Sequence, residues 1–407
     1  MTVTTDLRAL CVSDGVEEAA RAVAGRDVDA VAAALARPVP ALPPGTHDLD
    51  VVDDTGAPVP TRIHVPLRRR ATGPSVLLAL HGAGSDGETF ARQVRPLAEA
   101  CGMVAVCPTA TAQRDGEANL DLSGLLGRRF RGHRWTYGPD EAAMAALRRG
   151  CAAVGAHTGE AVLLGTSMGG IAVWNLALRR GWQVAAAVVV NGAPSMWEVF
   201  GRDASIDALL PNLDALPMTL VHGSRDAQVP PRLAQDALHR LRARGHADAV
   251  LLDVADGEHG WDSLGLVPGS PQLAALAARV TAAASRPRWP LRVEHRAVAD
   301  DHGRAHWVAL SGIAPGAPAR VVAEVVGPRA IRVETSGAAA LRVHLAETLV
   351  VPGPVDLLVD GRRHVVEFRP DPVTLLRSWS ADGGAGGPAA TFAVDIDLTC
   401  RPEGDRR

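Results

Sequence analysis

The 407-residue sequence contains no lysine, so all of its basic side chains are arginine or histidine. Without a lysine amine the chain cannot form a Schiff base with a carbonyl substrate, and it cannot use a serine–lysine dyad. A lack of lysine beside abundant arginine, alanine and glycine is typical of a GC-rich bacterial genome. The absence excludes two kinds of covalent catalysis.

The sequence is also poor in cysteine, with five residues at scattered positions: Cys11, Cys101, Cys107, Cys151 and Cys400. They have neither metal-site nor disulfide-framework spacing, and a sparse, odd number favours reduced thiols in a cytoplasm. The N-terminus lacks the apolar stretch of a signal peptide. The longest apolar runs, such as residues 184–190, are too short to span a bilayer. We therefore expect a cytoplasmic protein with no membrane partner.

Charge of one sign is not in excess, since the net charge is −3 with 21% charged and 47% hydrophobic residues. This is an ordinary globular composition, and it gives no reason to expect a nucleic-acid partner. A chain of 407 residues is longer than a single hydrophobic core usually supports, so we expect two domains.

His302 and His306 stand four residues apart in a β-like region, where that spacing does not place both side chains on one face. We expect no metal and no cofactor.

The most informative segment that is present is a Gly-x-Ser-x-Gly sequence at residues 165–169, centred on Ser167. It follows the apolar run 161–164 and precedes a helical stretch at 170–178. A serine at a sharp strand-to-helix turn sits in strained backbone, and the flanking glycines allow neighbouring segments to approach closely. The turn also points the N-terminus of the helix at any negative charge that develops there. We predict a nucleophile elbow with Ser167 as the nucleophile.

A serine hydroxyl needs a histidine to take its proton and a carboxylate to orient that histidine. Asp226 lies in a polar turn after the apolar strand 218–222, and His259 lies in a short loop after the strand 249–254. Each of the three residues follows a strand at its C-terminal end, so all three should meet at one edge of the sheet. We predict that Asp226 and His259 complete a triad with Ser167.

Alternatives remain for both partners of the serine. Asp226 precedes a helix that starts with proline and is also placed to cap it, in which case Asp253 or Asp256 would orient the histidine. The rival histidines are His157, His222 and His246. His81 and His222 lie inside turns, where we expect them to hydrogen-bond the loops.

The apolar strand 76–80 ends in a His-Gly turn at residues 81–82. In active sites with a nucleophile elbow, the loop after the third strand supplies the second N–H donor to the oxyanion. We predict that the backbone N–H groups of Met168 and Ala83 form an oxyanion hole. Losing one such donor costs on the order of 3 kcal/mol of transition-state stabilisation.

These segments give the sequence a resemblance to the α/β-hydrolase superfamily, close to dienelactone hydrolases, polyhydroxybutyrate-depolymerase-like esterases and feruloyl esterases. It is also similar to the catalytic domain of prolyl-oligopeptidase-type peptidases, although no β-propeller precedes it. The matching segments are residues 80–84, 165–170, 222–226 and 258–261. The resemblance implies an α/β fold with a mostly parallel sheet and helices on both faces.

The resemblance also implies an acyl-enzyme mechanism at a carboxylic ester, amide or thioester. The main hypothesis is a serine hydrolase, an esterase acting on a small-molecule ester. The alternative is a peptidase or a thioesterase or acyltransferase with the same triad, acting on a peptide or a biosynthetic product. An ester compared with its matched amide would discriminate between them.

Three regions are expected along the chain. Residues 1–44 form a helical N-terminal appendage, with one alanine-rich helix running to Arg37, and residues 45–285 form the catalytic domain. Residues 286–407 change to short β-like runs without helical periodicity, which predicts a small β-sandwich, with an immunoglobulin-like arrangement as one form of it. Its glycine-rich stretch 381–390 and its tail 401–407 should be flexible. Whether this domain binds a polymer, makes a homo-oligomer or covers an apolar face stays open.

Two insertions, residues 113–137 and 195–216, interrupt the alternation of strands and helices. Insertions after strands usually lie over the active site and shape the substrate pocket. Trp261, outside the insertions, is a candidate pocket residue. The candidates within the insertions are Trp135, Tyr137, Met196, Trp197 and Phe200. The alternative is that these side chains only pack the insertions onto the body of the domain.

Overall fold

The computed structural model describes residues 15–36, 42–110, 135, 141–199, 201–382 and 389–399. The chain divides into two compact units, and each is considered by itself. The central unit comprises residues 40–286, and the terminal unit comprises residues 1–39 together with residues 287–407. Among the described residues, no helix combines the length and the apolar character needed to cross a membrane.

The helices and strands are numbered in chain order. The helices are α1 (Val16–Val23), α2 (Val28–Leu35), α3 (Gly87–Cys101), α4 (Glu141–Val154), α5 (Met168–Arg180), α6 (Ala204–Leu209), α7 (Arg232–Ala243), α8 (Pro271–Ala282) and α9 (Pro372–Ala381). The strands of the central unit are β1 (Gly45–Leu49), β2 (Thr61–Val65), β3 (Val76–Leu80), β4 (Val104–Pro108), β5 (Ala161–Thr166), β6 (Ala186–Val190), β7 (Met218–Gly223) and β8 (Ala249–Val254). The strands of the terminal unit are β9 (Arg292–Ala297), β10 (Arg304–Ala305), β11 (Val308–Ser311), β12 (Ala319–Gly327), β13 (Ala330–Ser336), β14 (Ala340–Leu345), β15 (Gly353–Val359), β16 (Arg362–Phe368) and β17 (Phe392–Asp397).

The central unit is built on one eight-stranded sheet in the order β1-β2-β4-β3-β5-β6-β7-β8. The predicted hairpin is present, because β1 and β2 pair antiparallel, and β2 is also antiparallel to β4. All the other neighbours pair parallel. The register aligns the C-terminal ends of the strands, so the segments that follow β3, β5, β6, β7 and β8 share one edge.

Helices cover both faces of this sheet. Every residue of β3, β4 and β6 is buried, as expected for parallel strands with helices on either side. Helices α3 and α8 share a hydrophobic cluster with Leu77, Ala79 and Ala105 of the sheet. Helix α4 packs on the opposite face, where Gly150 approaches the side chain of Val106. The predicted α/β-hydrolase fold is confirmed.

The terminal unit contains a four-stranded sheet, β10-β11-β14-β17, and a five-stranded sheet, β16-β15-β13-β12-β9. The β-like runs read from the sequence are strands here, as expected for a β-sandwich. The pair β13 and β15 is parallel, unlike the purely antiparallel sheets of an immunoglobulin sandwich. The expectation that this region lacks helical structure is wrong, because α9 begins at Pro372 with Asp371 as its N-cap.

The N-terminal segment forms two helices where the sequence predicted one. Gly25 has a left-handed backbone (φ +72°), and the side chain of Asp27 accepts the Ala30 N–H to begin α2. Arg37, the predicted helix end, lies outside the described residues. Buried residues of α1 and α2 share a cluster with Leu376 and Trp379 of α9. The described helices of the predicted appendage therefore belong to the terminal unit and not to a separate domain.

Most of the first insertion and of the glycine-rich stretch lies outside the described residues, as does the whole of the tail at 401–407. The second insertion follows β6 and contains a short 3₁₀ helix (Met196–Val199), α6 and a second 3₁₀ helix (Leu210–Leu213). Its backbone rejoins the sheet at β7.

Candidate active site

Ser167 occupies a sharp turn between β5 and α5. Its backbone has φ 54° and ψ −118°, a conformation that residues other than glycine adopt only under strain. The Ser167 N–H donates to the Val190 carbonyl at 2.9 Å, which fixes the turn against the end of β6. The geometry is that of the predicted nucleophile elbow.

The two glycines of the elbow are required by close backbone contacts. A Cβ atom on Gly165 would lie 2.1 Å from the Gly169 carbonyl oxygen. A Cβ atom on Gly169 would lie 2.0 Å from the Leu80 carbonyl oxygen. No side chain fits at either distance, so Gly165 is required by the tightness of the turn itself and Gly169 by its close approach to β3.

The structure brings Ser167, His259 and Asp226 together in one hydrogen-bonded chain. His259 Nε2 lies 2.8 Å from Ser167 Oγ, and His259 Nδ1 lies 2.8 Å from Asp226 Oδ2. A carboxylate can only accept, so Nδ1 carries the imidazole proton. This leaves Nε2 free to accept the proton of the Ser167 hydroxyl.

Asp226 is held as an anion by its surroundings. Its side chain is fully buried, and its Oδ1 accepts the N–H groups of Gln228 and Val229, both at 2.9 Å. Burial by itself would raise the pKa of this carboxyl, but hydrogen bonds from His222, His259 and the Val229 N–H hold the pKa well below its ordinary value. A buried carboxylate that remains charged is suited to orient and stabilise an imidazolium.

The rival acids are not at the histidine. Asp253 is an exposed residue of β8, and Asp256 forms an exposed ion pair with Arg225 at 2.7 Å. Asp226 does not cap the following helix, because α7 begins at Arg232 with Pro231 as its N-cap. Its Oδ1 accepts the N–H groups of Gln228 and Val229 in the turn before that helix, which leaves Oδ2 for His259.

The rival histidines have other partners. His157 pairs with Glu160 at 3.2 Å, and His246 Nε2 bonds the Leu216 carbonyl at 2.9 Å. His222 Nε2 bonds the Val229 carbonyl at 2.9 Å and lies 3.4 Å from Asp226 Oδ2. His222 therefore supports the turn that carries Asp226.

The start of α5 supplies backbone donors beside Ser167. The first helical hydrogen bond runs from the Ile171 N–H to the Ser167 carbonyl. The N–H groups of Met168, Gly169 and Gly170 precede that bond and are therefore the N-terminal donors of the helix. The predicted donor Met168 is the first of these groups and immediately follows Ser167.

The predicted second donor, Ala83, follows β3 in a turn that His81 organises. The Ala110 N–H donates to His81 Nε2 at 3.0 Å, so Nδ1 carries the proton and donates to the Gly82 carbonyl at 2.8 Å. In a trans peptide the C=O and N–H point in opposite directions. The Gly82 carbonyl and the Ala83 N–H belong to the same peptide group, and the carbonyl points toward the His81 ring. The N–H of Ala83, an exposed residue, therefore points away from that ring.

This turn lies directly against Ser167. A Cβ atom on Gly82 would come within 3.4 Å of Ser167 Cβ. The Trp135 indole N–H donates to the His81 carbonyl at 2.9 Å, and the two rings lie 5.1 Å apart. Trp135 is only 4% exposed, so this predicted pocket residue packs the His-Gly turn in place.

The other predicted pocket residues are distributed differently. Trp261 is buried in the core with its ring edge-to-face on Phe90, and its indole N–H donates to the Leu266 carbonyl. Tyr137, Phe200 and the side chain of Met196 lie outside the described part of the chain. Trp197 is 58% exposed, in contrast to Trp135 and Trp261.

The backbone that carries Trp197 is firmly held. The Trp197 N–H donates to Ser195 Oγ, which bonds Asp203 at 2.7 Å. The next residue, Glu198, forms a two-fold ion pair with Arg240 of α7, with N–O distances of 2.8 and 3.0 Å. These contacts fix the start of the second insertion and leave the Trp197 indole facing solvent.

Sequence reasoning missed Asn191, the residue that follows β6. It is fully buried, has φ 46°, and hydrogen-bonds the segments that carry both His259 and Asp226. An Asn-Gly pair directly after a buried strand was the available signal, because asparagine and glycine are the residues that best tolerate a left-handed backbone.

The described cysteines, and the two histidines considered for a metal site, lie in structural surroundings. Cys101, Cys107 and Cys151 are buried free thiols, and burial raises the pKa of Cys101 to about 12. Cys11 and Cys400 lie outside the described residues. Within the part of the chain that the structure describes, no group of three or more His, Cys, Asp or Glu side chains is arranged to hold a metal. His302 bonds Asp301, and His306 bonds the Arg288 carbonyl.

No protein-family profile matches the sequence, and no curated protein sequence matches it significantly. Among solved structures, the chain is similar to an arylesterase, with 16% identity and a TM-score of 0.42, over 69% of this chain and 99% of that one. It is also similar to S-formylglutathione hydrolase from Staphylococcus aureus, with 18% identity and a TM-score of 0.40, over 59% of this chain and 100% of that one. For acyl-protein thioesterase 2 from Zea mays the values are 18%, 0.38, 54% and 98%. Similarity at this level does not identify a substrate.

Proposed function

We propose that this chain, whose central unit has the α/β-hydrolase fold, is a serine hydrolase that cleaves a small-molecule carboxylic ester through an acyl-enzyme. The observation that carries the proposal is the continuous chain from Asp226 Oδ2 through the His259 ring to Ser167 Oγ, with both contacts at 2.8 Å. The strained backbone of Ser167 adds support, because strain of this kind persists at sites where the surroundings fix a reactive side chain.

In acylation, Ser167 Oγ attacks the ester carbonyl carbon while His259 Nε2 takes the hydroxyl proton. The carbonyl oxygen of the substrate becomes an oxyanion, which the N–H groups of Met168 and Ala83 stabilise. His259 then gives its proton to the leaving alcohol as the C–O bond breaks. The products of this half-reaction are the free alcohol and an ester of the acyl group with Ser167.

In deacylation, a water molecule attacks the acyl carbon, and His259 Nε2 takes its proton. The second oxyanion collapses with release of the carboxylic acid, and the proton returns to Ser167 Oγ. Asp226 stays ionised throughout and stabilises the imidazolium formed in each half-reaction. The low pKa of Asp226 supports this role, because the carboxylate keeps its charge across the neutral pH range.

The proposal is tested by labelling with a fluorophosphonate probe and mapping the modified peptide by mass spectrometry. We expect phosphonylation of native protein at Ser167, and none after heat denaturation or in Ser167→Ala. The matched control, Ser311→Ala, changes an exposed serine of the terminal unit and should label like the unmodified protein. Native protein that is neither labelled nor active on ester substrates would contradict the proposal.

A Ser167–His259–Asp226 triad can act on esters, thioesters and amides. The type of substrate bond that is cleaved therefore needs a separate test. In a series with one acyl group and matched oxygen, sulfur and nitrogen leaving groups, the oxygen ester should give the highest kcat/KM. A higher kcat/KM with the sulfur leaving group would favour the thioesterase alternative. Equal kcat/KM on the amide would replace the esterase proposal by the peptidase alternative.

A further inference from the structure

Asn191 lies at the centre of the edge where the strands end. It follows β6, which is flanked by β5 and β7, the strands that lead into Ser167 and toward Asp226. Its side chain is fully buried, and its backbone has φ 46°. A left-handed, buried amide in such a place has to find hydrogen-bond partners within the protein.

The carboxamide of Asn191 bridges two loops. Its Nδ2 donates to the Glu258 carbonyl at 3.0 Å and to the His259 carbonyl at 2.8 Å. Its Oδ1 accepts the Gly223 N–H at 3.0 Å, at the start of the turn that carries Asp226. Both amide protons and one oxygen lone pair are therefore used.

The two carbonyls bound by Nδ2 belong to the peptide groups on either side of the His259 Cα. Holding both peptide planes restricts φ and ψ of His259, and these angles set the direction of its Cα–Cβ bond. Backbone bonds also hold the loop on either side of the histidine: Arg225 N–H donates to the Gly257 carbonyl, and Leu264 N–H donates to the Gly260 carbonyl. Asn191 bonds the backbone of the histidine itself, whereas Asp226 and Ser167 bond its ring.

The backbone next to Asn191 extends the same connection to the nucleophile. The Asn191 N–H donates to the Val221 carbonyl at 2.8 Å, and the Val190 carbonyl accepts the Ser167 N–H at 2.9 Å. Residues 190 and 191 thus hydrogen-bond the nucleophile turn, the strand before the acid turn and the histidine loop.

We propose that Asn191 is a positioning residue for the hydrolysis proposed above, one that holds the His259 imidazole in line between Ser167 Oγ and Asp226 Oδ2. The inference rests on the proposed function for its kinetic consequences. An asparagine suits the task because only a carboxamide supplies two protons to adjacent carbonyls and an acceptor to a third group. A displacement of about 1 Å at a reacting group can cost about 100-fold in rate.

Two substitutions separate the contacts. Asn191→Asp keeps an acceptor for the Gly223 N–H but places oxygen against the Glu258 and His259 carbonyls, whereas Asn191→Gly removes the side chain and tolerates the left-handed backbone. The matched control is Asn175→Asp, which changes another buried asparagine, located in α5, whose carboxamide contacts Ile171 and Arg179. If Asn191→Asp does not fold, Asn191→Gly carries the test.

The first readout is kcat and KM on an ester, with rates divided by the number of sites titrated by the fluorophosphonate. We expect both Asn191 variants to lower kcat about 10- to 100-fold with KM within about threefold of the original. Asn175→Asp should change neither value beyond about twofold. An Asn191→Gly enzyme with normal kcat per titrated site would overturn the proposal, even if its melting temperature fell, because the role would then be structural only.

The second readout does not need activity. The proton between His259 Nδ1 and Asp226 Oδ2 should give a downfield proton NMR signal, assigned by its loss in Asp226→Asn. We expect Asn191→Gly to shift or broaden that signal and Asn175→Asp to leave it unchanged. An unchanged signal in Asn191→Gly contradicts positioning by Asn191. Absence of labelling and turnover in the unmodified protein contradicts the proposed function instead. The NMR comparison then still tests whether Asn191 positions the His259 ring.

Discussion

Each unit of the molecule contains a histidine bonded through Nδ1 to an aspartate, and the two pairs differ in what the second ring nitrogen faces. In the central unit, His259 Nδ1 bonds Asp226 at 2.8 Å and Nε2 faces the Ser167 hydroxyl. In the terminal unit, His302 Nδ1 bonds Asp301 at 2.6 Å, but Nε2 accepts the Val298 N–H. A backbone N–H therefore donates to His302 Nε2, whereas His259 Nε2 faces a serine hydroxyl. The aspartate pairing alone therefore does not mark a site.

Left-handed backbone is also used differently in the two units. In the terminal unit Asp360 (φ 49°) precedes Gly361 in the two-residue turn between β15 and β16, as the hairpin requires. In the central unit Ser167 and Asn191 adopt this conformation after neighbouring parallel strands, where no hairpin requires it. Their side chains converge on His259. At Asp360 the left-handed backbone reverses the chain, whereas at Ser167 and Asn191 it directs side chains to His259.

The largest expected effect comes from removing the reactive partner of His259. Ser167→Ala should lower kcat on an ester by about 10⁴-fold or more, because no nucleophile remains for the imidazole to activate. Circular dichroism should be unchanged, since alanine removes a single hydroxyl. Turnover comparable to the original enzyme would place the nucleophile elsewhere.

The two aspartates offer a direct test of the difference between the units. Asp226→Asn should lower kcat about 10³- to 10⁴-fold, because the amide no longer stabilises the imidazolium and favours the wrong tautomer. Asp301→Asn, the equivalent change at His302, should leave kcat within about twofold. Equal losses in the two variants would contradict the assignment of His259 as the base.

The elements of the site that could be predicted from the sequence are those whose residue types are fixed by chemistry or by contact distance. Gly165 and Gly169 are required by backbone contacts near 2 Å, and Ser167, Asp226 and His259 each follow an apolar run that reads as a strand. Strand ends of a parallel sheet meet at one edge, so spacing in the sequence was enough to place these residues together.

Other features depend on contacts that a single sequence does not display. The role of Asn191 arises from three hydrogen bonds to residues 32 to 68 positions away. Helix α9 did carry a local signal, Asp371 before Pro372, which the surrounding β-like runs obscured. The assembly of α1 and α2 with α9 joins opposite ends of the chain, so no local pattern could reveal it.

The two units also differ in the exposure of their aromatic side chains. Trp197 is 58% exposed, whereas the described aromatic side chains of the terminal unit are buried or half-buried. If the Trp197 indole contacts the substrate, Trp197→Ala should raise KM about three- to tenfold with little change in kcat, because ground-state and transition-state binding weaken alike. Leu67→Ala, at another exposed apolar residue, is the control and should leave KM unchanged.

The smallest effect on activity is expected in the terminal unit. Burial, followed by the charges of Arg304 and Arg342, lowers the pKa of His344 to about 3. The folded state therefore keeps this ring neutral, while the unfolded state takes up a proton below the ordinary pKa of 6.5. The free energy of unfolding should fall as the pH falls from about 6.5 toward 3, by up to about 1.4 kcal/mol per pH unit.

His344→Gln should reduce this slope and leave ester turnover unchanged. Urea unfolding at several pH values between about 4 and 7 measures it. His239→Gln, at an exposed position on α7, should keep the original slope. A slope that is the same in His344→Gln would exclude this histidine as its source.

The pairing of α1 and α2 with α9 has a consequence for the order of events on the ribosome. Glu17 and Arg377, which bond each other, are 360 residues apart. At about 5–20 residues per second, roughly 20–70 s pass between the synthesis of the two ends. During that time the whole central unit is translated. The apolar faces of α1 and α2 stay uncovered until Leu376 and Trp379 of α9 have been synthesised. A chain interrupted between residue 286 and Trp379 would contain the whole central unit, but the apolar faces of α1 and α2 would lack the α9 side chains that cover them.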